Sequence, residues 1–288
     1  MIRTDLHDTT APPAPLSTDQ VACLSAIDDA LLDRLRHEVL TVPTDWQLSY
    51  GAYQSGGWAT LSLLNGSGEP ADVTITDCSQ PVATSLLKRM PATQALLADL
   101  DLTYMWVRLA RLEGNAFLWE HRDYTELSAR ERYRLHLPIC TNSSAYLVTA
   151  GTAVHMTAGR WWRLTPTYAH GVCNLRGPAR LHLIADCYAS DALSRLTRAA
   201  ELPKAAIRPL PGATADDLAR HAHEAERLAI LGWAEVAERS LLQLPYRYAL
   251  PEGHAYDMIS DLHAGLGDAP TAAAWQAKKT LMLTGVAA

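Results

Sequence analysis

The sequence predicts an all-β core of the sandwich or barrel type with helices added to it. Three observations lead there. Residues 46–190 contain at least seven short runs of apolar or alternating residues. Turn segments rich in Gly, Asn or Ser separate these runs at intervals of roughly 8–15 residues. After Tyr188 the runs stop, and Ala- and Leu-rich stretches follow. Many short strands joined by such turns are typical of sandwiches and barrels.

The predicted elements follow the chain in order. Residues 1–16 carry prolines and no periodicity, which predicts a disordered tail. STDQ at 17–20 predicts a helix start, and a helical stripe of apolar residues follows at 21–35. One further helix is expected near 81–99. The predicted strands are WATLSLLN, ADVTITD, YMWVRLARL, AFLWEH, YRLHLPICT, AYLVTA, RWWRLTP and ARLHLIADCY.

The C-terminal third is predicted to be helical. LPKAAIRPLPGA at 202–213 is a Pro-rich connection, and residues 214–244 and 255–284 are rich in Ala and Leu. The expected division is therefore a tail at 1–16, a core domain with an N-terminal helix at 17–199, and a helical domain at 200–288. These helices could pack on the core or on a second chain, so a homodimer stays open.

Composition narrows the class of protein. The chain has 288 residues, 48% hydrophobic and 19% charged, with a formal net charge of −6. No basic stripe is present, so nucleic acid is not an expected partner. No apolar run approaches the length of a membrane span, which is about 20 residues. The five widely spaced cysteines and the polar N-terminus favour a reducing cytoplasm.

The segment WEHRDYTEL raises the question of chemistry. His121 and Asp123 are two positions apart, and residues i and i+2 of a strand face the same side. One more histidine from another strand would complete a two-histidine, one-carboxylate facial triad. Such a triad suits Fe(II) and leaves three coordination positions for a co-substrate and dioxygen. Taken alone, a His-x-Asp pair is more often a solvated turn than a metal site.

Two residues downstream favour the metal site. His170 is predicted to lie in a turn between two strands, and Arg180 begins the strand that follows ten residues later. A dioxygenase that uses 2-oxoglutarate needs a fixed cation for the far carboxylate of that co-substrate, and arginine pairs with carboxylates in two-pronged geometry. The order His-x-Asp, His, Arg at these spacings is therefore a specific signal.

Four segments, HRDYTEL, YRLHLPICTN, VHMTAGRWWRLTPTYAHGVCN and ARLHLIADC, resemble the aspartyl/asparaginyl β-hydroxylase superfamily of Fe(II)/2-oxoglutarate dioxygenases. Within it, the bacterial L-proline 3-hydroxylase type is most similar. The resemblance covers residues 46–190 and extends more weakly to the helical C-terminal part. It implies a double-stranded β-helix, or jelly roll, with the metal near one end.

The resemblance also implies roles for individual residues. The iron ligands would be His121, Asp123 and His170, and Arg180 would bind 2-oxoglutarate. Arg134 and His136 would line the co-substrate region. Arg111 would hold the carboxylate of the substrate, with Arg108 as its competitor.

The function implied is hydroxylation of an unactivated carbon of a free L-amino acid, proline or a similar small one, in secondary metabolism, using Fe(II), 2-oxoglutarate and O2. One alternative keeps the chemistry and changes the substrate to an Asp, Asn or other residue in a peptide or on a carrier protein. Another is a non-catalytic cupin-like module that binds a metal or ligand. A zinc hydrolase would leave Arg180 without a task.

Overall fold

The computed structural model describes residues 15–42, 45–49, 51, 53–123 and 131–285. Within these ranges the chain forms a β-rich core followed by a helical C-terminal part. The strands are β1 (Val21–Ala26), β2 (Trp58–Asn65), β3 (Val82–Ala83), β4 (Tyr104–Leu112), β5 (Ala116–His121), β6 (Arg132–Cys140), β7 (Ala145–Thr149), β8 (Thr152–Val154), β9 (Arg160–Leu164), β10 (His170–Asn174), β11 (Arg180–Tyr188) and β12 (Ile207–Pro209). The helices are α1 (Asp29–Thr41), α2 (Pro91–Leu100), α3 (Asp191–Leu196), α4 (Ala215–Ile230), α5 (Ala234–Leu242), α6 (His254–Gly265) and α7 (Ala269–Thr284).

The strands form two antiparallel sheets. The larger has the order β1-β9-β6-β11-β4-β2-β3, and the smaller has the order β12-β8-β7-β10-β5. A buried apolar cluster draws on both sheets, with Trp58 and Ile184 from the large one and Leu147 and Val172 from the small one. Two facing antiparallel sheets around one core confirm the jelly-roll prediction.

Helices cover the outer face of each sheet. The large sheet packs against α1 and α2 through side chains such as Val107 and Leu109, which point away from the core between the sheets. The small sheet packs against the C-terminal helices through Phe117 and Cys173. Because strands of both sheets are buried on two faces, their sequences contain long apolar runs as well as alternating ones.

The start of the described chain differs from the prediction. Val21–Ala26 is the edge strand β1, paired with β9, and not part of a helix that begins at 17–20. The helix begins at Asp29, where the Asp28 carboxylate caps it by accepting from the Leu31 backbone N–H at 2.7 Å. Val21 and Cys23 pack into the core between the sheets, while Ala22 and Leu24 pack on the opposite side. Burial on both sides placed apolar residues at positions that also fit a helical stripe. Most of the predicted disordered tail, 1–14, lies outside the described residues.

Other boundaries shift for local reasons. ADVTITD forms no strand, and the helix expected near 81–99 is limited to α2, which begins at Pro91. Each of the two long C-terminal helices is divided into two, at Gly232 and Gly267. Both glycines have φ above +80°, a conformation that ends a helix and that L side chains rarely adopt.

The strands also continue beyond Tyr188. Ile207–Pro209 pairs with β8 and extends the small sheet, so the Pro-rich connection contributes to the core. No helix in the described part of the chain is both long enough and apolar enough to cross a bilayer.

Candidate metal centre and its cavity

His121 lines a cavity, and an irregularity in β5 turns its side chain towards that cavity. The pairing of β5 with β10 shifts between His170/His121 and Val172/Leu118, so that one residue, Gly171, stands opposite two, Trp119 and Glu120. Such a bulge changes which side chains point inward. Leu118 and His121 therefore both line the cavity, although three positions separate them.

His170 is the first residue of β10 and stands beside His121, with 4.4 Å between the two ring centroids. Each imidazole is oriented by a hydrogen bond between its Nδ1 atom and a backbone carbonyl oxygen. Nδ1 of His121 is 2.7 Å from the Trp119 carbonyl oxygen, and Nδ1 of His170 is 2.9 Å from the Tyr168 carbonyl oxygen. Carbonyl oxygens only accept, so Nδ1 carries the proton and Nε2 offers its lone pair, as is usual in histidines that bind metals.

Asp123 completes the group. Its carboxylate lies 3.8 Å from Nε2 of His121 and 3.9 Å from Nε2 of His170. One ligand atom from each of the three residues lies within 4.8 Å of the others. Two imidazole nitrogens and one carboxylate oxygen at this spacing fit a ferrous ion with open positions, so the donor set suits the metal that the sequence predicts.

The protonation states also suit a metal. Burial would raise the pKa of Asp123, but the charge of Arg134, assisted by His121 and His170, holds that pKa well below its usual range. Burial and the neighbouring His121 lower the pKa of His170 to about 3. At neutral pH the site therefore presents an ionised carboxylate and a neutral imidazole, which are the forms that coordinate cations.

A chain of alternating charges supports Asp123 from the large sheet. Arg134 on β6 contacts the Asp123 carboxylate through one terminal nitrogen and donates from Nε to Asp186 at 2.8 Å. Asp186 on β11 is completely buried and also pairs with Arg108 on β4. The guanidinium of Arg108 lies over the Trp106 ring at 3.8 Å. The Asp123 carboxylate is thus oriented, through Arg134, by a second carboxylate that is not part of the candidate metal group.

Arg180 also lines the cavity. Only 2% of its side chain surface is exposed, and Nε and one terminal nitrogen find no hydrogen-bond partner in the described part of the chain. Burial lowers its pKa to about 10, so it remains a cation. A buried guanidinium without a counterion is costly, and a carboxylate in the cavity would remove that cost.

Two further histidines lie near Arg180. His136 on β6 and His182 on β11 face each other, with their Nδ1 atoms 3.4 Å apart. Burial and the neighbouring arginines lower the pKa of both imidazoles, so both are neutral. Nε2 of His136 has no protein partner within the described ranges, and His136 lines the cavity.

Arg111 is the one predicted site residue that the structure keeps out of this cavity. Arg108 and Arg111 are three positions apart on a strand, so they point to opposite faces of the sheet. Arg108 faces inward and lines the cavity, whereas Arg111 pairs with Glu113 at 2.8 Å and stacks on Trp46. The other six predicted residues, His121, Asp123, Arg134, His136, His170 and Arg180, all line the cavity.

The cavity has a volume of about 270 Å³. Charged and polar groups from the strands line it together with apolar side chains. Three of the lining residues come from the C-terminal helical part, namely Leu281, Met282 and Gly285. Sequence reasoning named Arg108 only as a competitor of Arg111, and it missed Asp186 and this helix end. The alternation of β11, on which Arg180, His182 and Asp186 share one face, is the signal that could have revealed Asp186.

The fold and site together define a jelly-roll protein with a two-histidine, one-carboxylate metal centre and a buried arginine beside it. The chain belongs to the aspartyl/asparaginyl β-hydroxylase family. The sequence model of that family matches residues 25–190, which is more than half of this chain. The predicted family is therefore confirmed.

One curated relative is the L-proline cis-4-hydroxylase of Rhizobium meliloti (strain 1021), which is 28% identical over 174 residues. That match covers 59% of this chain and 62% of the relative. Among solved structures, a Pseudomonas putida prolyl-4-hydroxylase is 13% identical, with a TM-score of 0.39 over 59% of this chain and 93% of the other. HygX from Streptomyces hygroscopicus, solved with nickel and 2-oxoglutarate bound, is 10% identical, with a TM-score of 0.41 over 62% and 89%. With TM-scores below 0.5, neither solved structure bears on the function proposed below.

Proposed function

We propose that this protein is an Fe(II)- and 2-oxoglutarate-dependent dioxygenase that hydroxylates a free, proline-like L-amino acid. One observation carries the proposal. Three metal-binding groups converge in a cavity that is also lined by the buried guanidinium of Arg180, two of whose nitrogens have no hydrogen-bond partner among the described residues. A metal site beside a carboxylate site is the arrangement that a chelating keto diacid requires.

Each residue has a task in this proposal. His121, Asp123 and His170 would hold the iron, which when bound supplies dioxygen activation coupled to oxidative decarboxylation of 2-oxoglutarate. Arg180 would hold the far carboxylate of 2-oxoglutarate. Neutral His136 would offer a hydrogen bond from Nε2 into the same region. Arg134 would keep the Asp123 carboxylate turned towards the metal.

The substrate end of the cavity supports an amino acid. Arg108 faces the cavity where Arg111 does not, so we assign the substrate carboxylate to Arg108. Nε of Arg108 has no hydrogen-bond partner among the described residues. A volume of about 270 Å³ suits small molecules. The named activity of the curated relative on L-proline supports a proline-like compound as the first candidate. Secondary metabolism and the cytoplasm remain predictions that rest on the sequence alone.

The test measures succinate formed from 2-oxoglutarate by the iron-loaded protein, with and without a panel of L-amino acids that begins with proline. We expect amino-acid-stimulated succinate and a product heavier by one oxygen atom. His170→Ala should abolish both, because the metal loses one of its two imidazoles. Arg180→Met should raise the KM for 2-oxoglutarate by on the order of 100-fold, the effect of removing a buried charge partner.

The matched control is His223→Ala, which removes an exposed histidine from α4. It should change neither the formation of succinate and product nor the KM for 2-oxoglutarate. Stimulation by peptides but by no free amino acid would contradict the proposed substrate and favour a peptide hydroxylase. Metal binding without any turnover of 2-oxoglutarate would contradict the enzyme proposal as a whole.

A further inference from the structure

We infer that the C-terminal end of α7 is a wall of the substrate cavity and that Leu281 determines which amino acid is accepted. This inference rests on the proposed function. The described residues around the metal belong to the strands and their connections, with the exception of Leu281, Met282 and Gly285. The helical part of the chain therefore contributes directly to the cavity.

The wall is attached to the segment that carries the metal ligands. Arg122 lies between His121 and Asp123 in the sequence, and its backbone N–H donates to the Met282 carbonyl oxygen at 2.9 Å. Its guanidinium forms a bidentate salt bridge with the Glu252 carboxylate, at 2.9 and 2.6 Å. It also donates to the Thr167 carbonyl oxygen at 2.6 Å. The helix end is thereby hydrogen-bonded directly to the segment that carries the candidate metal ligands.

The preceding residues of β5 strengthen this attachment. The backbone N–H of Gly253 donates to the half-buried Glu120 carboxylate at 2.8 Å, and the Tyr256 hydroxyl donates to the Glu120 carbonyl oxygen at 2.7 Å. The Trp119 ring packs against Trp275 of α7 with centroids 5.4 Å apart. The bulge that turns His121 inward thus turns Trp119 and Glu120 towards the helices.

The chemistry of the wall complements that of the strands. From the strands, Arg108 and Arg180 line the cavity and carry guanidinium nitrogens without a partner among the described residues, whereas Leu281 and Met282 are apolar. A substrate whose carboxylate pairs with Arg108 would place its hydrocarbon part against this wall. An apolar wall discriminates mainly by size, and one methylene changes kcat/KM by about 10- to 200-fold. Leu281 is half-buried, so it can be replaced with less risk to folding than the buried Met282.

The experiment compares Leu281→Ala and Leu281→Phe with Leu283→Ala. Leu283 is also half-buried, two positions further along the same helix, but it does not line the cavity, so it is a matched control. The probes are L-proline and L-pipecolate, whose ring is one methylene larger. For each variant we would measure KM and kcat for both amino acids, the KM for 2-oxoglutarate, and amino acid binding to the Zn(II)-loaded protein by calorimetry.

We expect Leu281→Ala to shift the preference towards pipecolate by about 10-fold, and Leu281→Phe to weaken pipecolate binding relative to proline by a similar factor. The KM for 2-oxoglutarate should stay constant, which a general structural defect would not allow. Leu283→Ala should behave like the wild type. Unchanged preference and binding in both Leu281 variants, with a wild type stimulated by an amino acid, would overturn this inference alone. A wild type that no amino acid stimulates or binds would overturn the proposed function and this inference with it.

Discussion

At the residue scale, the candidate metal site depends on a carboxylate that is not among its three metal-binding residues. Asp186 is fully buried and lies between Arg108 and Arg134, and Arg134 in turn contacts Asp123. Burying one charge is costly, but alternating charges that are hydrogen-bonded to one another compensate for much of that cost. Asp186 therefore fixes two guanidinium groups at once, one behind the metal ligand and one facing the proposed substrate.

Replacing Asp186 by Asn should disturb both arginines. We expect Asp186→Asn to lower the free energy of unfolding by about 3–5 kcal/mol, because two buried cations lose their shared counterion. We also expect about 10- to 100-fold weaker metal binding, because Arg134 no longer has a fixed position behind Asp123. Denaturant unfolding and Zn(II) titration would measure these changes.

The control for this substitution is Asp33→Asn, which breaks an exposed pair with Arg36 on α1. Exposed pairs contribute less than about 1 kcal/mol, so stability should hardly change and metal binding not at all. Asp186→Asn with wild-type metal affinity would show that Arg134 keeps its position without Asp186.

Sequence reasoning reached the metal residues because their types and spacing are rare in combination. It preferred Arg111 to Arg108 as a residue of the site, whereas Arg108 is the one that lines the cavity. Both faces of β4 are buried, Val107 and Leu109 under the helices and Ala110 and Leu112 between the sheets. When both faces of a strand are apolar, the sequence does not show which face lies between the sheets. Alternation therefore places Arg108 and Arg111 on opposite faces but does not show which of them points into the cavity. Only the pairing of β4 with β11 shows which face of β4 points inward. Arg108 lies opposite Ile184, and Ile184 packs between the two sheets.

At the scale of elements, the strands that sequence predicted best are long and end at turn residues. WATLSLLN, YMWVRLARL and AFLWEH coincide with β2, β4 and β5. The missed strands β8 and β12 have three residues each, too few for a period to be visible. The sequence predicts a turn at His170, whereas His170 is the first residue of the strand β10. The bulge opposite Gly171 has no sequence signal at all.

Gly171 is where the bulge meets the helical part. A Cβ at this position would lie 2.3 Å from the Tyr246 hydroxyl oxygen, which donates to the Leu118 carbonyl oxygen. Gly171→Ala should therefore displace Tyr246 and cost about 1–3 kcal/mol of stability, the usual effect of overpacking. Chemical denaturation would measure it. Tyr246→Phe in the same chain should recover part of the loss, because the hydroxyl is the nearest clashing group.

Gly212→Ala is the matched control for this prediction. A Cβ there has no atom within 4 Å, so stability should change by less than about 0.5 kcal/mol. If Gly171→Ala is as stable as the control, β10 and Tyr246 are not packed as tightly as the structure indicates.

At the scale of the whole molecule, the core and the helical part share one apolar cluster. Phe117, Tyr146 and Cys173 of the small sheet are buried together with Tyr256 and Trp275 of the helices. The sequence predicted a boundary near residue 200, where composition changes, but a composition change does not show whether two parts share a core. We propose that residues 200–288 do not form an independent domain.

This proposal predicts the behaviour of a truncated chain. A chain that ends at residue 213 keeps β12 but exposes the apolar outer face of the small sheet, so we expect it to aggregate or to remain partly unfolded. In the full chain, helix content by circular dichroism and Zn(II) binding at the barrel should be lost at one denaturant concentration, since a shared core unfolds cooperatively. Ile230→Ser, at a helix position with 67% of its surface exposed, should leave that midpoint unchanged. Two separate transitions, or a soluble truncated chain that binds Zn(II) like the full protein, would restore the boundary at residue 200.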